Sequence, residues 1–234
     1  MKLAFTFPGQ GSQSVGMGKD LADAFACARD VFEEVNDALS QNLSKIMWEG
    51  PMEDLTLTAN TQPALMASSL AAMRVLEQEF DFPVTEAAYV AGHSLGEYSA
   101  LCAVGSFDLA TTARLLRLRG EAMQKAVAVG DGAMAALLGA SLEQADEAVK
   151  IGQKHGTCQI ANDNANGQVV ISGAKAAVEA AADAAQEMKV RKAVLLPVSA
   201  PFHCDLMAPA AEAMAEALAD TTMKTPRVAV VNNV

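Results

Sequence analysis

Val90-Ala91-Gly92-His93-Ser94-Leu95-Gly96-Glu97-Tyr98-Ser99 reads as a strand that runs into a helix through a turn exposing one serine. Tyr89, Val90 and Ala91 are apolar ahead of the turn, and Ala100 to Val104 continue past it as a nearly all-apolar helix that belongs in a core. The spacing Gly92-X-Ser94-X-Gly96 has a physical basis: the turn is so sharp that side chains at its flanks would clash. Free amides at the head of the following helix, Leu95 N–H the nearest, would face any negative charge developing near Ser94 Oγ. Ser94 is therefore a candidate nucleophile in an α/β fold, set apart by its strand-turn-helix context from a chance glycine-serine-glycine string.

Towards the N-terminus, residues 3–7 read as a short buried strand, and Pro8-Gly9-Gln10-Gly11-Ser12-Gln13-Ser14-Val15-Gly16-Met17-Gly18 as a glycine-rich loop beyond it. Loops at that end of a strand form ligand sites in α/β sheets. This one is no phosphate cradle, since Ser14 stands where a third glycine is needed and no Gly-Lys-Ser/Thr follows; a bare connecting loop is the alternative reading. The pattern predicts a helix over 20–42, and a second that Asn60 or Thr61 caps, starting at Gln62 and Pro63 and running to about Phe80. The strand of the serine turn then begins near Ala87.

A helix over 108–127 projects Leu118, Ala122, Leu115, Ala126, Thr112, Met123, Leu116, Leu109 and Ala113 onto one arc. Arg119 falls near the middle of that arc, whereas Arg114, Arg117, Glu121 and Lys125 lie opposite, as solvated charges should. If buried, Arg119 needs an anionic partner, either a protein carboxylate or a substrate. Residues 133–197 then change character, with strands expected over 134–138, 157–161, 168–172 and 193–198 and helices over 142–154, opened by Ser141, and 175–188. That order is ferredoxin-like, its second and third strands joined by Asn162-Asp163-Asn164-Ala165-Asn166-Gly167. Pro197-Val198-Ser199-Ala200-Pro201-Phe202-His203-Cys204-Asp205 crosses back to an alanine-rich helix to about Ala219 and a last strand over 227–232.

With 234 residues, 51% of them hydrophobic, the chain can bury a full core. No apolar run reaches the roughly 18 residues that span a bilayer, and the N-terminus lacks the basic start of a signal peptide, so a cytoplasmic protein is expected. Cys27, Cys102, Cys158 and Cys204 are scattered without a C-x-x-C pair, which points to free thiols and no metal site. A net charge of −11 argues against nucleic acid or an anionic membrane as the main partner.

A serine nucleophile needs a proton acceptor, most often histidine, and the chain holds only three. His93 adjoins Ser94, so its side chain should point elsewhere, and His155 sits on a turn between Lys154 and Gly156 where solvent is expected. His203 remains, on a proline-flanked loop, with loop packing as its alternative role.

Four separated stretches, Phe7-Pro8-Gly9-Gln10-Gly11-Ser12-Gln13, Gly92-His93-Ser94-Leu95-Gly96-Glu97-Tyr98, Arg119-Gly120 and Ala200-Pro201-Phe202-His203, together resemble the malonyl-CoA:acyl carrier protein transacylases. The resemblance runs from the first strand to Val234. It implies a large α/β-hydrolase-like catalytic domain (1–129 and 198–234) with a parallel sheet and an inserted ferredoxin-like subdomain (130–197). It implies that Ser94 is malonylated by malonyl-CoA through His203 and passes the acyl group to the phosphopantetheine thiol of acyl carrier protein, with no bound cofactor. It further implies an oxyanion hole from the backbone N–H groups of Gln10 and Leu95, a malonyl carboxylate paired with Arg119, and pocket roles for Gln62, Met134 and Asn162. Phe202 resembles the aromatic wall of malonyl-selective members. Members of the family continue for several dozen residues past the strand ending Asn232-Asn233-Val234, so the large domain is expected to lack its C-terminal part here.

Two other functions fit parts of the pattern. A serine hydrolase of α/β-hydrolase type shares the serine turn and the order serine before histidine, but needs an acid between them and has no use for Arg119; Asp146 and Asp163 fall in the inserted segment. A non-catalytic subunit that binds carrier protein would not need Ser94 and His203. A monomer in fatty acid biosynthesis is expected, with an acidic carrier protein docking on Lys189, Arg191 and Lys192 unless these are simply a solvated turn.

Overall fold

The computed structural model describes residues 2–128, 130–198 and 200–234; Met1, Val129 and Ser199, the last inside the crossing loop, lie outside the described residues. In chain order the elements are β1 (Ala4–Phe7), α1 (Lys19–Ala24), α2 (Ala26–Leu39), α3 (Leu43–Glu49), α4 (Met52–Thr56), α5 (Thr58–Phe80), β2 (Tyr89–Gly92), α6 (Gly96–Ala103) and α7 (Leu109–Ala126). They continue with β3 (Gly132–Leu138), α8 (Leu142–Gly152), β4 (Cys158–Ala165), β5 (Gln168–Ala174), α9 (Lys175–Glu187), β6 (Lys192–Leu195), α10 (Ala208–Ala219) and β7 (Ala229–Val231). The chain divides into two units, Met1–Glu121 with Met214–Val234, and Ala122–Ala213. The second is wider than the expected 130–197, because Met123 of α7 and Phe202, Met207 and Ala210 around the start of α10 bury themselves with Met134 and Val170 of its sheet.

The first unit is built on a parallel sheet of order β1-β2-β7, with Phe7 opposite Gly92 and Ala91 opposite Val231. Parallel strands end on the same edge, so the glycine-rich loop after Phe7, the serine turn after Gly92 and Asn232-Asn233 after Val231 all emerge on one side of the sheet. Val90 is fully buried within a core that α2 and α5 supply through Val31, Phe32, Val35, Met66 and Ala71. Phe32 packs edge-on against Trp48, ring centres 5.4 Å apart.

Several boundaries differ from the sequence reading. The helix expected over 20–42 breaks at Phe25, whose φ of −129° and ψ of 123° are extended, leaving α1 and α2. Two short helices, α3 and α4, fill a stretch read without elements. Helix α5 begins at Thr58, a turn earlier than expected, so Pro63 lies inside it. Asn60 and Thr61 do cap a helix end, but the wrong one for the prediction: Asn60 Nδ2 donates to Asp54 O at 2.8 Å and Thr61 Oγ1 to Leu55 O at 2.6 Å, closing α4. Along α7, Leu118 is exposed despite its place in the apolar arc. Arg117, expected in solvent, is half-buried and donates through Nη2 to Gln41 Oε1.

The second unit is a four-stranded antiparallel sheet of order β4-β5-β3-β6. Ser141 opens α8 through a capping box with Gln144, as its sequence position suggested. Ala145, Ala148, Ala177, Val178 and Ala181 of α8 and α9 pack with Leu137 and Ile171 of the sheet. The loop expected from Asn162 is shorter: β4 runs to Ala165 through two register shifts, so only Asn166-Gly167 make the turn. All four cysteines are free, Cys27 and Cys158 buried and Cys102 and Cys204 half-buried. Among the described residues no helix is long and apolar enough to cross a membrane.

Candidate active site

The corner after β2 holds Ser94 through the crowding of its backbone. A Cβ on Gly92 would lie 1.9 Å from Gly96 C, and one on Gly96 would lie 2.3 Å from Phe7 O. The two glycines let β2 turn into α6 directly against β1, and Ser94 takes a left-handed φ of 52° at the apex. Four other described non-glycine residues share that region: Ser40, Asp81, Lys189 and His203. Ser40 and Asp81 end α2 and α5, and Lys189 comes just after Met188, the residue that ends α9, where a left-handed residue is the ordinary way to stop a helix. Ser94 and His203 have no such excuse, and both were singled out by their chemistry.

Three segments brace the corner. Asn233 Oδ1 accepts from Ser94 N at 3.1 Å, and Asn233 Nδ2 donates to Gly92 O at 2.9 Å and to Glu97 Oε2, whose carboxylate also accepts from Asn233 N. The first loop lies against the turn so closely that a Cβ on Gly9 would meet His93 Nδ1 at 2.4 Å. Gln10, the next residue, is thereby held beside the corner. From α7, Arg119 Nη2 donates to Ser94 Oγ at 3.1 Å.

Arg119 reaches the serine because Gly120 lets α7 touch the start of α5: a Cβ there would sit 2.6 Å from both Ala59 Cα and Thr58 O. Its other amine, Nη1, donates to Gln62 Oε1 at 2.7 Å, and its guanidinium lies 5.8 Å from the centre of the Tyr98 ring. Among the described residues no carboxylate lies within ion-pair distance of it. Burial pushes the guanidinium below its ordinary value, with Tyr98 and Glu97 acting in the opposite direction. Burial likewise pushes the Tyr98 phenol up, and the nearby Arg119 charge offsets part of that. Arg119 is a half-buried cation with an open demand for an anion.

The remaining candidates belong to the second unit. Met134 and Phe202 are buried in one apolar cluster with Val170 and Ala200. Asn162, half-buried, stands opposite Val170 at a register shift of β4. His203 is half-buried with φ 59°, on a loop fixed at both ends. Pro201 packs over Gly132, where a Cβ would meet its ring at 2.4 Å, and Asp205 N donates to Gln159 Oε1 at 2.6 Å. Cys204 Sγ donates to Pro201 O at 3.2 Å across the loop. His155 is exposed, as are Lys189, Arg191 and Lys192. No group of three metal-ligating side chains occurs among the described residues.

The acyl transferase domain family matches residues 4–234. The chain belongs to that family. A malonyl CoA-acyl carrier protein transacylase of Haemophilus influenzae is 45% identical over 233 residues, 100% of this chain and 74% of the relative. That of Escherichia coli strain K12 is 46% identical over 236 residues with the same coverage of each. Among solved structures, an acyl-carrier-protein-S-malonyltransferase from Bartonella henselae has a TM-score of 0.97 and 58% identity, covering 100% of this chain and 74% of that one. Another, of a malonyl-transacylase in complex with a type II PKS acyl-carrier protein, has a TM-score of 0.96 and 43% identity, covering 100% and 75%. Acyl transferases thus share the whole of the architecture described above.

Asn233 and Thr58 are the site residues of this acyl transferase that sequence reasoning missed. Asn233 carried no signal beyond its place after the last strand, and Thr58 was read as lying ahead of its helix. The signal for Gly120 was present, in the motif Arg119-Gly120, but only the helix crossing explains it.

Proposed function

We propose that the protein transfers a malonyl group from malonyl-CoA to the phosphopantetheine thiol of acyl carrier protein through a malonyl-Ser94 ester, as a cytoplasmic monomer in fatty acid biosynthesis. Ser94 Oγ attacks the thioester carbonyl carbon as His203 takes its proton, and the backbone N–H groups of Gln10 and Leu95 hold the resulting oxyanion. Collapse breaks the carbon–sulfur bond, and coenzyme A leaves as a thiol with the proton returned by His203. The carrier thiol gives its proton to His203 and attacks the ester carbonyl carbon; collapse breaks the bond from that carbon to Ser94 Oγ, and His203 returns the proton to the serine oxygen. Arg119 holds the malonyl carboxylate, with Gln62, Met134, Asn162 and Phe202 shaping the acyl pocket, and Lys189, Arg191 and Lys192 offer an acidic carrier a docking surface.

The observation that carries this reading is Arg119 Nη2 at 3.1 Å from Ser94 Oγ, with no carboxylate among the described residues within ion-pair distance of the guanidinium. An acyl chain on that oxygen that ends in a carboxylate supplies the missing anion; a hydrolase or a binding subunit gains nothing from it. The relatives' names point to the same acyl group. The strand orders support the finer fold assignment, an α/β-hydrolase-like catalytic unit and a ferredoxin-like one.

Incubation with malonyl-CoA followed by intact-mass measurement tests the proposal. A stable malonyl adduct is expected, absent in Ser94→Ala and forming about a hundredfold more slowly in His203→Ala. Rapid release of free malonate would indicate a hydrolase, and no adduct at all a binding subunit.

A further inference from the structure

Thr58, the first residue of α5, is fully buried and stands where three segments of the first unit meet. Its Oγ1 donates to Gln10 Oε1 of the first loop at 2.6 Å and accepts from Gln62 Nε2, one turn along α5, at 3.2 Å. Its backbone carbonyl lies against Gly120, next to Arg119. Gln62 Oε1 in turn accepts from Arg119 Nη1 at 2.7 Å, so an unbroken polar chain runs Gln10, Thr58, Gln62, Arg119, Ser94.

The polarity of that chain is forced from its Arg119 end and matched by the Thr58 hydroxyl. Thr58 has a single O–H, and spending it on Gln10 Oε1 leaves its lone pairs able to receive an N–H. The Gln62 amide meets both neighbours, with its nitrogen facing Thr58 and its oxygen facing Arg119. A guanidinium offers donors only, so the opposite orientation would set N–H against N–H.

We propose that Thr58 is a positioning residue for acyl-group selectivity: its hydroxyl holds the Gln62 amide in the orientation that Arg119 requires, and so steadies the aim of Arg119 at the carboxylate of the acyl group, while tying the same clamp to the loop that carries Gln10. This rests on the carboxylate-clamp reading of Arg119. It separates two effects. Loosening Gln10 slows acylation by malonyl and acetyl groups alike, whereas loosening Gln62 and Arg119 affects only the acyl group with a carboxylate.

The test is single-turnover acylation of Ser94 by malonyl-CoA and by acetyl-CoA in Thr58→Val, Thr58→Ser and Arg119→Ala. Valine preserves shape without the hydroxyl, and the malonyl-to-acetyl rate ratio is expected to fall about tenfold, in line with the loss of one buried hydrogen bond. Serine keeps the hydroxyl and the wild-type ratio. A folded Thr58→Val with an unchanged ratio, or a Thr58→Ser that loses the ratio as fully as valine, overturns the inference, the latter by making the methyl group responsible. Should the valine variant not fold, Thr58→Ala is read on the same ratio with the same two outcomes. Arg119→Ala keeps the failures apart: if it too retains the malonyl preference, the clamp reading itself is wrong, whereas its loss there and survival in Thr58→Val sinks only the role of Thr58.

Discussion

Ser94 holds its left-handed backbone by main chain pressed on main chain, whereas His203 holds the same conformation through side chains that brace its loop. At the serine corner the nearest neighbours of Gly92 and Gly96 are the backbone atoms of Gly96, Glu97, Phe7 and Pro8, which cannot move aside. At the histidine loop the neighbour of Gly132 is the Pro201 ring, and the loop's end is held by the flexible Gln159 amide. The first arrangement dictates residue types at fixed local spacing; the second can be met by many sequences. That is why the serine was legible from five consecutive residues and the histidine only by elimination.

The comparison predicts unequal tolerance. Gly92→Ala forces a methyl into a contact of 1.9 Å with backbone and should cost about 3 kcal/mol or more, seen as a lower urea midpoint or as insoluble protein. A well-folded Gly92→Ala with normal acylation would remove the basis of the contrast.

Gly132→Ala meets a ring that can shift, so a cost of about 1–2 kcal/mol is expected, with the protein soluble. Because Pro201 stands two residues before His203, Ser94 acylation should also slow and its pH profile change, while binding of malonyl-CoA holds. Equal destabilisation of the two glycine variants would mean that the His203 loop is as rigidly built as the corner.

The smallest effect lies in the same unit as the serine but away from its corner. Asp108 Oδ1 accepts from Thr111 N at 2.6 Å, and that bond holds its carboxyl below the usual range. A depressed carboxyl stabilises the fold above its unfolded value and loses that contribution as pH falls through the folded one. Asp108→Ala should therefore cost about 1 kcal/mol near neutral pH, with the gap to wild type closing as pH drops below about 4. Thermal melts across that range check it; a gap that persisted at low pH would assign the loss to packing.

What the sequence left hidden has a common cause in contacts between distant segments. Asn60 and Thr61 carry the chemistry of N-caps, yet their side chains turn back to the carbonyls of α4, so the start of α5 was read a turn late and Thr58 was passed over. Pro63 looked like a first helical residue because its missing N–H is costless there; the structure accepts it further in, on the second turn of α5. Asn162 to Ala165 have turn composition but stay in β4, since two register shifts absorb them into the ladder. Arg119, by contrast, was visible as a charge in an apolar arc, and the open choice between a protein carboxylate and a substrate is narrowed by its neighbours, a glutamine, a serine and a tyrosine ring.

That choice is the centre of the account, and it is tested most directly by comparing malonyl and acetyl transfer in Arg119→Ala. Leaving a buried donor without its anion costs on the order of a few kcal/mol, enough for about a hundredfold selectivity. The account predicts that malonyl transfer falls by about that factor while acetyl transfer holds or rises, and that Arg119→Lys restores little because a point charge cannot span two oxygens. If malonyl and acetyl transfer fell together, with thermal stability lost as well, Arg119 would be a structural residue and the carboxylate clamp would be contradicted.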